Sequence, residues 1–109
     1  MWCPGISGFA SGYGGTISGG SSNSNGGDYG VIGGGGSNTI TSSGDFGVIA
    51  GGGSNYLDGK YSSIAGGVGN TVDGAASSTI AGGADNTISG SATSTMSGVS
   101  NTIDASSGE

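Results

Sequence analysis

The chain has 109 residues, 29 of them glycine, with one Lys or Arg against seven Asp or Glu and no His, for a net charge of -6. That balance disfavours nucleic acid and anionic lipid as partners, and no run of about 18 apolar residues offers a membrane insertion. The lone cysteine excludes an internal disulfide.

Leucine, isoleucine, valine and phenylalanine together supply only 17 residues, so composition alone borders on that of disordered chains. Their order says otherwise. Residues 1–8 read as a lead-in. Met1-Trp2-Cys3-Pro4 lacks the basic and apolar stretches of a signal peptide, and Cys3 is left as a free thiol or an intermolecular link. Over residues 9–103 one phrase recurs every 15 to 17 residues: Ile17-Ser-Gly-Gly-Ser-Ser-Asn23, Ile32-Gly-Gly-Gly-Gly-Ser-Asn38, Ile49-Ala-Gly-Gly-Gly-Ser-Asn55, Ile64-Ala-Gly-Gly-Val-Gly-Asn70 and Ile80-Ala-Gly-Gly-Ala-Asp-Asn86. A shortened copy, Met96-Ser-Gly-Val-Ser-Asn101, closes the series, and residues 104–109 form a polar tail. Repetition at this period means one small unit stacked on copies of itself to share a core.

Each period splits in two. Phe9, Ile17, Asn25, Ile32, Ile40, Ile49, Leu57, Ile64, Val72, Ile80, Ile88, Met96 and Ile103 follow one another at steps of seven to nine residues, and all but Asn25 are apolar. A helix would need apolar residues at i, i+3, i+4 and i+7, and would lose about 1 kcal/mol at each interior glycine. The half-repeat is therefore a short strand followed by a tight turn, with Gly-Gly and Gly-x-x at corners of positive φ. The expected fold is all-β: a parallel β-solenoid, or β-roll, of about 15–16 residues per coil with two short strands per coil. Its aliphatic core is thin for the number of residues to be ordered. A homo-oligomer, either a trimer or an end-to-end filament, is therefore expected.

Other residue types keep register with this column. Tyr13, Tyr29, Phe46 and Tyr61 lead into successive isoleucines, and their rings fit either a sugar-binding or interface strip or a ladder that stiffens the roll. Asn38, Asn55, Asn70, Asn86 and Asn101 read as a turn ladder, because Asn tolerates the left-handed region and its amide can bond to neighbouring backbone or to the next Asn. None of them begins an Asn-x-Ser/Thr glycosylation signal. Thr39, Thr71, Thr87 and Thr102 precede one set of inward residues and Thr16, Thr79 and Thr95 the other, so their hydroxyls face out in partial rows. Such rows resemble the surfaces of β-helical antifreeze proteins, which makes ice binding the alternative function. Asp28, Asp45 and Lys60 share a column and read as surface charge balance; Asp58 and Asp73 share another.

No group has the partners that catalysis needs. Cys3 has no histidine, no Gly-x-Gly-x-x-Gly or Gly-x-Ser-x-Gly run occurs, and the chain is read as a non-enzyme without cofactor or metal. The unit Ile-Ala-Gly-Gly-x-x-Asn-Thr-Ile-x-Gly-x-x-Ser, clearest from Ile64 to Ser77 and from Ile80 to Thr93, resembles the repeats in the heads of trimeric autotransporter adhesins and related phage and viral fibres. That resemblance implies a β-roll with aliphatic residues inside each coil and three rolls about an axis. The spacing here is longer than in those heads, and no stalk heptad, neck or membrane anchor follows. The expectation is a structural fibre module, extracellular, at a cell surface or on a virion, with a surface carbohydrate or protein as its possible partner.

Overall fold

The computed structural model describes residues 7–90 and 94–105; the expectation for Cys3 lies outside them. Short strands alternate with tight turns along the whole described chain. They are β1 (Ser7–Ala10), β2 (Thr16–Ile17), β3 (Ser21–Asn25), β4 (Val31–Ile32), β5 (Thr39–Ile40), β6 (Val48–Ile49), β7 (Tyr56–Leu57), β8 (Ser63–Ile64), β9 (Thr71–Asp73), β10 (Thr79–Ala84), β11 (Thr87–Gly90), β12 (Thr95–Val99) and β13 (Thr102–Ala105). Odd-numbered strands form one parallel seven-stranded sheet in sequence order, and even-numbered strands form a parallel six-stranded sheet. The chain thus winds as a β-solenoid of about six turns with two short strands per coil.

Register explains the period. Ile17, Ile32, Ile49, Ile64, Ile80 and Met96 pair rung to rung in the even sheet. Asn25, Ile40, Leu57, Val72, Ile88 and Ile103 do so in the odd sheet. Because side chains alternate across a strand, both columns point into the space between the sheets. Ile32, Ile40, Ile49, Leu57, Ile64, Val72, Ile80, Ile88 and Met96 are buried there, with Ile17 and Ile103 partly buried against them. Two sheets enclosing one layer of side chains make a thin body, 14 Å along its shortest axis. Ala75, at a turn, joins the same core.

Between the rungs the backbone is hydrogen-bonded throughout, as in Thr16 N–H to Gly30 O at 2.9 Å and Ala50 N–H to Ile64 O at 3.0 Å. A third line of pairing, Ser21 with Gly36, Gly53, Val68 and Ala84, runs along the corner after the even sheet. Every coil is therefore tied to the next at three places, although six of the thirteen strands are only two residues long.

Two expectations change. Phe9 pairs with Ser24 and is 70% exposed, so it stands outside the column; Ala10, its neighbour, pairs with Asn25. The spacing from Phe9 to Ile17 matches the half-period, but inter-strand register, not spacing, decides which face a residue takes. The corners also differ. The left-handed residues include Ser22, Tyr29, Ser37, Phe46, Ser54, Tyr61, Ser77, Asp85 and Ser100, with φ between 53° and 59°, so glycine does not supply every turn.

Ile64 sits at the centre of the column with no exposed surface. Ile64→Asp places an unpaired carboxylate there and is expected to cost about 4 kcal/mol or more. The measurement is thermal melting followed by circular dichroism; an unchanged melting temperature would remove this column from the core.

Candidate functional site

Three sets of residues are positioned by the coil: a line of asparagines inside one corner, a stack of rings outside the other, and the outer surfaces of the two sheets.

The asparagine line begins one rung earlier than its clearest repeats suggested. Asn23, Asn38, Asn55, Asn70 and Asn86 are buried, and Asn101 ends the line in an exposed position. In each step the backbone N–H of one Asn donates to the Oδ1 of the Asn one rung before, at 3.0–3.1 Å from Asn38 to Asn101. A backbone N–H can only donate, which assigns the oxygen and leaves Nδ2 as the donor on the other side. That Nδ2 donates to the carbonyl four residues earlier, such as Gly51 O from Asn55, and to a carbonyl of the next rung, such as Gly67 O. Amide-to-amide bonds of 3.0–3.2 Å link Asn38, Asn55, Asn70, Asn86 and Asn101. The turn beside it must be glycine: a Cβ on Gly35, at φ +87°, would lie 2.0 Å from Gly52 O and 2.9 Å from Asn38 Nδ2.

Asn25 belongs to the aliphatic column. Its Nδ2 donates to Gly30 O at 2.7 Å and Thr16 O at 3.2 Å, while its Oδ1 is the one buried side-chain polar atom without a partner among the described residues.

At the opposite corner the rings do form a ladder. Tyr29 and Phe46 stack at 5.2 Å between centroids and 17° between planes, and Phe46 and Tyr61 at 5.2 Å and 16°. Tyr13 meets Tyr29 edge-on, 5.6 Å away at 81°. The difference has a backbone cause. Tyr29 N–H donates to Tyr13 O, whereas Phe46 N–H donates to Asp28 O and Tyr61 N–H to Asp45 O, so Tyr13 stands one residue out of step. Tyr29, Phe46 and Tyr61 hold φ of 55–58°, a conformation that costs a bulky residue about 1 kcal/mol or more. Ser77 takes the same place one rung on, at φ 56°, so the corner itself does not require a ring. All four rings are about half exposed or more. Within the stack of Tyr29, Phe46 and Tyr61 the facing ring surfaces cover one another, so the middle ring, Phe46, offers chiefly its edge to solvent.

The column Asp28, Asp45, Lys60 does more than balance charge. Asp28 Oδ1 accepts the Tyr13 N–H at 2.7 Å and Asp45 Oδ1 accepts the Asp28 N–H at 3.0 Å, tying rungs at the ring corner. Lys60 Nζ lies 5.3 Å from the centre of the Tyr61 ring.

The outer faces are unlike each other. On the odd sheet the outward residues are Ser24, Thr39, Tyr56, Thr71, Thr87 and Thr102, followed beyond the buried column by Thr41, Asp58, Asp73, Ser89 and Asp104. The Thr41 hydroxyl donates to Asp58. The Tyr56 phenol is pushed above its ordinary value, first by burial and then by the Asp58 and Asp73 carboxylates. On the even sheet the outward residues are Thr16, Val31, Val48, Ser63, Thr79 and Thr95. Beyond the buried residues come Ser18, Gly33, Ala50, Ala65 and Ala81, then Gly19, Gly34, Gly51, Gly66 and Gly82, where an added Cβ would meet nothing. No Asp, Glu or Lys stands on this sheet. The threonine rows are interrupted on both faces, by Tyr56 on one and by Val31, Val48 and Ser63 on the other.

Among the described residues no group of three or more His, Cys, Asp or Glu is placed to hold a metal ion. No protein family, curated protein or solved structure shows significant similarity to the chain.

Asn55→Ala removes the partners of the Asn70 N–H and the Gly51 carbonyl and one of the two bonds to Gly67 O, and is expected to cost about 3 kcal/mol, while Asn101→Ala at the open end costs about 1 kcal/mol or less. Denaturant melts of the two variants test the gradient; equal losses would deny the ladder its role. For Tyr56, a folded pKa above the unfolded value of about 10 means that protons are held more tightly in the folded state. Stability is then retained below about pH 10 and declines as pH rises through the folded value. Absorbance titration should find Tyr56 ionising at lower pH in Asp58→Asn than in the parent; no change would show that Asp58 does not act on it.

Proposed function

We propose that the chain is a non-catalytic structural module: a rigid β-solenoid rod that associates laterally with copies of itself as part of an extracellular or virion fibre. The carrying observation is the even face. It is free of charge and built of small side chains, and it includes glycines at 19, 51 and 66 that neither a crowded Cβ position nor a left-handed φ explains. Glycine in a strand-rich segment is disfavoured by about 0.5–1 kcal/mol relative to alanine, so its repetition favours close approach by something outside the chain.

Charge selects the same face. Asp58, Asp73 and Asp104 lie on the odd sheet, Asp28 and Asp45 at the ring corner and Asp85 at the corner of the asparagine line, so the even sheet is the one broad face on which copies meet no like charge. The likeness of the repeat to adhesin-head and fibre repeats supports the reading, and a trimer about an axis is one arrangement that buries this face. Surface attachment to a carbohydrate or protein would then fall to the exposed odd face.

Sedimentation equilibrium of the purified chain is expected to give a multiple of its 10.0 kDa mass. Ala50→Glu with Ala65→Glu should return it to the monomer with unchanged circular dichroism. A parent that stays monomeric at high concentration defeats the proposal, and thermal hysteresis with ice shaping by that monomer would establish ice binding in its place.

A further inference from the structure

The ring corner raises a question that the even face does not answer. Tyr29, Phe46 and Tyr61 are strained in backbone, half exposed, and held where Ser77 shows that serine suffices. Of the large apolar residues that the surface exposes, Tyr13, Tyr29, Val31, Phe46, Val48 and Tyr61 form one continuous strip, because Val31 and Val48 follow Tyr29 and Phe46 by two residues and face out at the adjoining edge of the even sheet. Four half-exposed rings and two valines present about 500 Å² of apolar surface, as large as the biggest patch expected on a typical monomer.

We infer that this strip is the anchor of self-association, occupied by the same strip or the adjoining even face of a second copy of the chain. The inference rests on the self-associating reading above and adds where its contact energy is concentrated. Three observations select a second copy. Burying the strip on both partners removes about 1,000 Å², the lower bound for a specific interface. The ring centres of Tyr29, Phe46 and Tyr61 recur at 5.2 Å, set by the rungs, and a second copy carries the same repeat, so the two strips stay in step over these three rungs. The only Lys or Arg of the chain, Lys60, lies at one end of the strip, and Asp28 and Asp45 lie beside the rings before it. Paired copies in staggered or opposed register bring that ammonium to a carboxylate of the neighbour. A partner of unrelated surface would have neither the matching repeat nor the complementary charge.

The test is the double variant Tyr29→Ser with Phe46→Ser, compared with the parent by sedimentation equilibrium over a concentration series. Serine occupies the equivalent backbone position at Ser77, so the fold should persist, with circular dichroism and the cooperative melt as the check. The dissociation constant should rise by about tenfold or more. Lys60→Glu, which touches no core residue, should weaken association more at low salt than at high salt. If the parent assembles and Ala50→Glu with Ala65→Glu dissociates it while the serine variant assembles as tightly as the parent, the strip is not the anchor and the even face alone carries association. If the parent itself is monomeric, the reading beneath fails first.

Discussion

Each coil must reverse direction twice within about sixteen residues, and inter-rung pairing satisfies only part of the backbone at a buried reversal. The asparagine ladder solves this. One carboxamide per rung accepts the N–H of the next Asn and donates to carbonyls of its own turn and of the following rung. Both ends of the side chain are engaged, so adjacent rungs are locked in register by a group too short to reach anything else. The close packing of the glycine carbonyls against the next rung follows from holding that corner closed.

The two faces serve opposite requirements. A repeat rod has two broad surfaces to keep soluble or to cover, and this chain divides its chemistry between them. Hydroxyls occur on both, but the carboxylates lie on the odd sheet and at the corners, while alanine, valine and unexplained glycines lie on the even sheet. A single-sheet charge distribution of this kind orients any association, since like-charged faces repel and an uncharged one does not. The ring corner lies on the boundary between them, where its exposed edges are continuous with the uncharged side.

Much of the architecture was readable because the apolar column keeps a period of half a coil, and inter-strand pairing carries that period straight into space. The fold class, the strands per coil and the inward set from Ile17 to Ile103 needed nothing more. The first rung escaped because the spacing from Phe9 to Ile17 is indistinguishable from a half-coil step, while the pairing of Ala10 with Asn25 places Phe9 outside. Tyr13 escaped for a related reason, since one extra residue before Thr16 moves its backbone to the Asp28 position although its ring still reaches the ladder. The bonds from Asp28 and Asp45 to backbone N–H groups of the preceding rung had no signal in the sequence beyond their shared column.

The sequence by itself determined the repeating unit, because an apolar residue at every eighth position between glycine-rich turns admits short strands and no helix, and the strand pairing sets the rungs parallel. It also determined which residues line the coil. Tertiary structure decided how those units use their surfaces: that asparagine amides face inward and bond to one another, that ring faces are spent on neighbouring rings, and that charge gathers away from one sheet. These depend on which residues from different rungs share a corner. That adjacency is set by register between strands some sixteen residues apart, and no local pattern states it.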